Sequence, residues 1–282
     1  MENGAKYIFL DIDGTLLDPG THTVPDSAIK AINLAKENGH KLFISTGRSF
    51  SETEEIKRMD LSFDGYIYSS GSIIEVDNSK IYEQFMSTDD ITYLSKLASK
   101  SKLGYVLEGY QKVFLDKFAY DFFIEIFFRD EKDSPEIIKE KMDERGFLSI
   151  EKYDAQHDKI CKVSVYGKGY DTFEDLKKCL GDNYKMVEVP GYTDAGIVWY
   201  EITAGNVSKA TGVEIILNNI GARRSDSISF GDSLNDYEML QYTHLGICMG
   251  NGNEELKKTA DDVTLPVDED GLYFGFKKHG LI

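Results

Sequence analysis

KYIFLDIDGT, residues 6–15, sets a short apolar run from Lys6 to Leu10 directly against two acidic residues, Asp11 and Asp13, and a glycine. A run of this length, apolar on both faces, reads as a strand buried inside a parallel sheet that delivers acidic groups at its C-terminal end. The pattern then turns helical. Pro25 stands where a first helical turn begins, Ala28, Ile29, Ile32 and Ala35 form a stripe, and Asn38-Gly39 ends it. A second strand is expected at Leu42 to Ile44, running into Ser45-Thr46-Gly47-Arg48, and a third at Tyr66 to Tyr68, running into Ser69-Ser70-Gly71. Strand and helix in alternation predict a parallel sheet with helical crossovers.

From about Glu83 to Pro190 the character changes. Aromatic residues crowd together (Tyr105, Tyr110, Phe114, Phe118, Tyr120, Phe122, Phe123, Phe127, Phe128), which predicts an inserted domain with these rings in its core. After Glu201-Ile202 the alternation resumes. A helix over Ser208 to Asn219 is closed by Gly221, and a strand from Ser227 to Phe230 ends in Gly231-Asp232. Short strands at Leu245–Cys248 and Val263–Leu265, with a helical turn over Asp236–Gln241, extend the same sheet. The fold class is therefore α/β: a Rossmann-like, doubly wound parallel sheet formed by residues 1–82 and 191–282, with an α/β domain inserted at 83–190.

The bulk properties narrow the function. The chain has 282 residues, long enough for two modest cores, and a formal net charge of −17 that repels phosphate backbones and anionic membrane surfaces. Neither nucleic acid nor a membrane is an expected partner. If the substrate is itself an anion, local cations, helix N-termini or a metal must attract it against the global field. Cys161, Cys179 and Cys248 lie far apart without metal-ligand spacing, and the N-terminus lacks the pattern of a signal peptide, which together suggest a cytoplasmic protein.

Four stretches bring polar groups to the C-terminal edge of the expected sheet: Asp11-x-Asp13-Gly14-Thr15, Thr46-Gly47-Arg48, Lys209 near a helix start, and Gly231-Asp232-Ser233-Leu234-Asn235-Asp236. With IFLDIDGTLLD, ISTGR, GNVSKATGV, GDSLNDYEML and the late MGNGNEELKKTADDVT and EDG in order, nearly the whole chain resembles the haloacid dehalogenase superfamily, in its Cof-type sugar-phosphatase branch with a large α/β cap. The family's usual Asn-Gly after the third strand is Ser70-Gly71 here.

The resemblance implies a magnesium-dependent phosphatase for a small phosphorylated metabolite, such as a sugar phosphate or a phosphorylated cofactor. Asp11 is then the nucleophile that becomes an aspartyl-phosphate, and Asp13 the general acid and base. Thr46, Gly47, Arg48, Lys209 and Asn235 contact the phosphoryl group or the substrate. Lys209 also holds the Asp11 carboxylate. Asp11, Asp13 (through its backbone carbonyl), Asp232 and Asp236 form the Mg²⁺ site. A carboxylate beside a phosphomonoester meets a repulsion of about 4 kcal/mol per charge pair at about 4 Å, which is why such a set needs a cation. Taken alone, D-x-D-G-T is a turn, Thr46 a helix cap and Lys209 a solvated charge. Arg48 suits either a substrate contact or an ion pair with a neighbouring carboxylate. A phosphomutase or phosphotransferase using the same intermediate, and a non-catalytic phosphate-binding module, are the competing functions.

Overall fold

A computed structural model describes residues 4–53, 56, 61–128, 133–168, 171–189 and 197–282, which fall into two compact units. The first comprises residues 1–48, 53–83 and 207–282, the second 49–52 and 84–206. The chain runs β1 (Tyr7–Leu10), α1 (Asp26–Glu37), β2 (Lys41–Ser45), β3 (Gly65–Tyr68), β4 (Ile73–Val76) and β5 (Ser79–Glu83). It continues through α2 (Thr88–Lys100), β6 (Gly104–Gly109), β7 (Val113–Leu115), α3 (Lys117–Phe127), α4 (Pro135–Glu144), β8 (Phe147–Ser149), β9 (Ile160–Lys168), α5 (Asp171–Leu180), β10 (Tyr184–Glu188) and β11 (Ile197–Ala204). It closes with α6 (Lys209–Asn219), β12 (Ser227–Gly231), α7 (Tyr237–Tyr242), β13 (Leu245–Cys248), α8 (Glu254–Thr259), β14 (Asp262–Val263) and α9 (Gly271–Lys278).

In the first unit the strand order is β14-β13-β12-β1-β2-β3-β4-β5. Pairing is parallel from β14 to β3 and antiparallel for β4 and β5, a hairpin that the sequence reading did not anticipate. β1 is central, so both of its faces are covered and its apolar run is continuous. Ile8 and Leu10 face a core built with Ala28, Ala31, Ile32 and Ala35 of α1 and Leu272 and Phe276 of α9. Phe9 faces the other way, into Val213, Ile216 and Leu217 of α6 and Met239 and Leu240 of α7, and stacks on Phe43. Helices on both faces make the sheet doubly wound. The last strand is shorter than expected, Asp262–Val263 in place of Val263–Leu265.

The second unit has strand order β10-β11-β9-β6-β7-β8. Its antiparallel centre, β11-β9-β6, packs Leu107, Val163, Val165 and Ile202 against α2 and α5 on one face. Val106, Leu115 and Tyr166 pack with Ala119 and Phe123 of α3 and Met142 of α4 on the other. Phe123 and Phe128 are buried on that second face and Phe114 on the first, as expected of core aromatics, whereas Phe118 is exposed and the Phe127 side chain lies outside the described residues. The expected boundary at residues 190/191 also falls outside them. The second unit continues to Asn206, because β11 pairs on both edges with β9 and β10 and so completes this sheet.

Candidate active site

The chain winds from β1 towards β2 and β3 on one side and returns through β12, β13 and β14 on the other, so the order reverses between β1 and β12. Loops after adjacent strands diverge at such a point and leave a crevice at the carboxyl ends. Asp11 follows β1 and Asp232 follows β12, one on each lip, and the Asp11 N–H donates to the Phe230 carbonyl at 3.1 Å. Gly14 lies between them with φ +80°, and a Cβ there would strike the Asp232 carboxylate. Only a glycine combines that dihedral with so close an approach.

Lys209 is the first residue of α6, where the helix dipole disfavours a cation. Its ammonium is nevertheless fully buried and donates to Asp11 Oδ1 at 2.6 Å, Asp236 Oδ1 at 2.6 Å and Asn235 Oδ1 at 3.1 Å. Burial opposes its charge, but Asp11 and Asp236 outweigh burial and raise its pKa above the ordinary lysine value. Ser208 caps the helix through the Thr211 N–H. Asp236 turns Oδ2 to the N–H groups of Asp232 (3.0 Å) and Ser233 (3.1 Å), so it shapes the loop that carries Asp232. Asn235 Oδ1 also accepts from Ser233 Oγ at 2.7 Å, which fixes the amide.

Asp13 stands apart. Its side chain is about half exposed and receives a fork from Arg48, Nη2 to Oδ1 at 2.6 Å and Nε to Oδ2 at 2.9 Å. Of the two readings left open for Arg48, the structure therefore displays the carboxylate pair. Thr46 is buried, and its Oγ1 accepts the Arg48 N–H at 3.1 Å across Gly47, which forms the turn after β2. The carbonyl of Thr46 accepts the Ser70 N–H at 2.9 Å, joining this turn to Ser69-Ser70-Gly71.

The oxygens of Asp11, Asp232 and Asp236 lie within 4.8 Å of one another. Three carboxyls face the single ammonium of Lys209, and ionised together they would leave two negative charges uncompensated in a buried place. Asp232 Oδ1 is buried without a hydrogen-bond partner among the described residues. Burial first, then Asp11 and Asp236, push the Asp232 carboxyl up to about 9; burial and Asp236 push Asp11 up to about 7 despite Lys209. An orphaned hard oxygen and clustered carboxyls that burial and one another keep from ionising fit a divalent cation such as Mg²⁺, whose charge would compensate them. The Asp13 carboxylate is not part of this cluster, so any contribution from Asp13 rests on its backbone.

The profile of the haloacid dehalogenase-like hydrolases matches residues 8–275, spanning every one of these side chains. The chain belongs to that family. It is 28% identical to YkrA of Bacillus subtilis over 99% of both chains. It is also 26% identical to the 5-amino-6-(5-phospho-D-ribitylamino)uracil phosphatase YcsE of Bacillus subtilis, over 95% of this chain and 92% of that one. The solved structure of the HAD subclass IIB sugar phosphatase BT4131 aligns with a TM-score of 0.78 over 99% of this chain and 100% of that one, at 24% identity, a likeness of fold. This haloacid dehalogenase-like hydrolase is thus an enzyme whose relatives include named phosphatases.

Two groupings escaped the sequence reading. Asn251, within the quoted MGNGN stretch, donates to the Gly14 carbonyl at 2.8 Å. In the second unit, Lys162 of β9 is buried between Glu108 of β6, at 3.0 Å, and Glu201 of β11, while Ser164 Oγ donates to Glu108. The available signal was a charge inside each apolar strand: ICKVSV, YVLEG and VWYEIT.

Proposed function

We propose that this hydrolase is a Mg²⁺-dependent phosphatase of small cytosolic phosphomonoesters, sugar phosphates or phosphorylated cofactors, acting through an aspartyl-phosphate on Asp11. The observation that carries the reading is the buried Asp11–Lys209–Asp236 arrangement beside Asp232, whose oxygen lacks a partner among the described residues. The named specificity of YcsE and the sugar phosphatase BT4131 support this substrate class.

Asp11 and Asp232 would hold the cation, with the Asp13 carbonyl as a further oxygen and Asp236 supporting from behind. When bound, Mg²⁺ supplies charge neutralisation between the carboxylates and the phosphate dianion and polarises a phosphoryl oxygen. The chain's own groups do the rest. Lys209 holds Asp11 Oδ1 and pairs with phosphoryl oxygens as charge shifts onto them. One Asp11 oxygen attacks phosphorus in line, the P–O bond to the leaving group breaks, and the Asp13 carboxyl gives its proton to the departing oxygen. In the second half Asp13, now ionised, takes a proton from water as that water attacks phosphorus. The P–O bond to Asp11 breaks, inorganic phosphate leaves, and both carboxyls return to their starting states. Thr46 and the Gly47–Arg48 turn contribute phosphate contacts beside the nucleophile.

The test is phosphate release from a panel of small phosphomonoesters with Mg²⁺, for wild type, for Asp11→Asn and for wild type plus chelator. Release by wild type that falls to background in both other arms is the expected result. Release that persists in Asp11→Asn would remove Asp11 as nucleophile. No release from any ester by the folded, Mg²⁺-supplied wild type would overturn the phosphatase reading.

A further inference from the structure

The Met249-Gly250-Asn251-Gly252-Asn253 stretch belongs to no step above, yet its bonds converge on the candidate cation site from both sides. The Met249 N–H donates to the Gly231 carbonyl at 2.9 Å and the Asn253 N–H to the Asp232 carbonyl at 2.7 Å, so the turn grips the backbone on each side of the Asp232 peptide. The turn is closed by the Gly252 N–H on the Met249 carbonyl at 2.9 Å and tied to the next loop by the Gly250 N–H on the Leu265 carbonyl at 3.1 Å. A Cβ on Gly252 would press on the Asp232 carbonyl and the Cys248 sulfur, which is why the turn lies so close. From its apex Asn251 spends both ends of its amide. Nδ2 donates to the Gly14 carbonyl at 2.8 Å, and Oδ1 accepts the Val267 N–H at 2.8 Å.

We infer that Asn251 is a positioning residue, the clasp that sets the separation between the Asp11–Gly14 loop and Asp232 and thereby the size of the cation site. The inference rests on the phosphatase reading for its catalytic consequence, but the geometry stands on the three loops alone. Gly14 lies against the Asp232 carboxylate with no side chain of its own to hold that distance. The Asn251 amide ties that loop on the Gly14 side, and the Val267 N–H fixes its orientation so that Nδ2, not Oδ1, meets the carbonyl. Mg²⁺ demands near-ideal octahedral geometry with short bonds, so it tolerates a loosened site poorly.

Two variants test it. Asn251→Ala removes both bonds; Asn251→Ser keeps a small polar group too short to reach Gly14. For each, the Mg²⁺ concentration giving half of the maximal thermal shift is measured without substrate, together with kcat, substrate KM and the half-saturating Mg²⁺ in turnover. Both variants are expected to need about 10–100-fold more Mg²⁺, the range seen when groups orienting metal ligands are removed. Substrate KM at saturating Mg²⁺ should stay within a few-fold of wild type, and excess Mg²⁺ should restore part of kcat. A lowered chelator-treated melting temperature with an unchanged Mg²⁺ requirement would make Asn251 merely structural and overturn the inference, as would wild-type values throughout. If Asn251→Ala fails to fold, Asn251→Ser and its thermal titration decide. Mg²⁺ binding by wild type without turnover would sink the phosphatase reading while leaving the clasp testable by the thermal shift.

Discussion

Asp232 has surroundings that disfavour the charged form of its own side chain. One of its oxygens has no hydrogen-bond partner among the described residues, it is mostly buried, and it faces the like charges of Asp11 and Asp236. With its carboxyl pushed up to about 9, the folded chain near neutral pH forgoes an ionisation that the unfolded chain keeps, a cost that an amide does not carry. Asp232→Asn is therefore expected to melt higher than wild type in chelator, by about 2–4 °C per kcal/mol gained, and to lack the Mg²⁺-induced rise expected of wild type. Differential scanning calorimetry with and without Mg²⁺ measures both. A variant that melts lower than wild type in chelator would mean that the carboxylate stabilises the metal-free protein. Asp236 is the contrasting acid, since both of its oxygens are satisfied by Lys209 and two backbone N–H groups, which makes it a fixture of the loop.

At the scale of elements, the junction of the β3 turn with α6 decides where Lys209 points. Gly71 has φ +113°, and a Cβ there would collide with the Ser208 carbonyl, the residue that caps α6 immediately before Lys209. Ser69 and Ser70 already take positive φ in the same turn, a costly conformation for residues with side chains. Gly71→Ala is expected to lower stability by about 1–3 kcal/mol. Because it displaces the start of α6, it should reduce kcat by as much as about 10²-fold with a smaller change in KM. Thermal melts and steady-state kinetics on one preparation check this, and unchanged melting would show that the turn yields without moving the helix. The sequence made β1, α1, β2, β3, α6 and β12 legible because each is an apolar period ended by a marked stop, and these elements carry the candidate residues. The β4–β5 hairpin was not legible, since its exposed, polar β5 (SKIYE) gives little alternation to read. Asn251 stayed hidden for another reason: an asparagine among glycines reads as a turn former, and only the folded chain reveals what its amide reaches.

Across the whole molecule the two units answer to different variables. The first gathers carboxyls that burial and mutual repulsion hold well above their ordinary range at the Asp11–Asp232 crevice. The second buries Glu108, Lys162 and Glu201 on three adjacent strands, with Ser164 donating to Glu108 and Glu52 adding a further negative charge. β11 carries Glu201 in this trio, which explains physically why the second unit extends beyond the boundary expected from composition: the strand's partner charge lies on β9. Burial outweighs the attraction of Lys162 and pushes the Glu108 carboxyl from 4.5 up to about 7. Between those values the folded unit keeps a proton that the unfolded chain has released, so its stability is present at the acidic end and falls as pH rises through about 7. Glu108→Gln, which cannot ionise, should flatten that slope. Amide hydrogen exchange localises the effect, once intrinsic exchange rates are corrected for pH. Protection in β6, β9 and β11 of wild type is expected to fall from pH 5 to pH 7.5 and to hold in the variant, whereas Mg²⁺ should raise protection in the loops after β1 and β12. A pH response confined to β1 and β12, or one that survives Glu108→Gln, would place the responsible group outside the buried trio, and the Lys162 network would then serve only to fix the register of three strands.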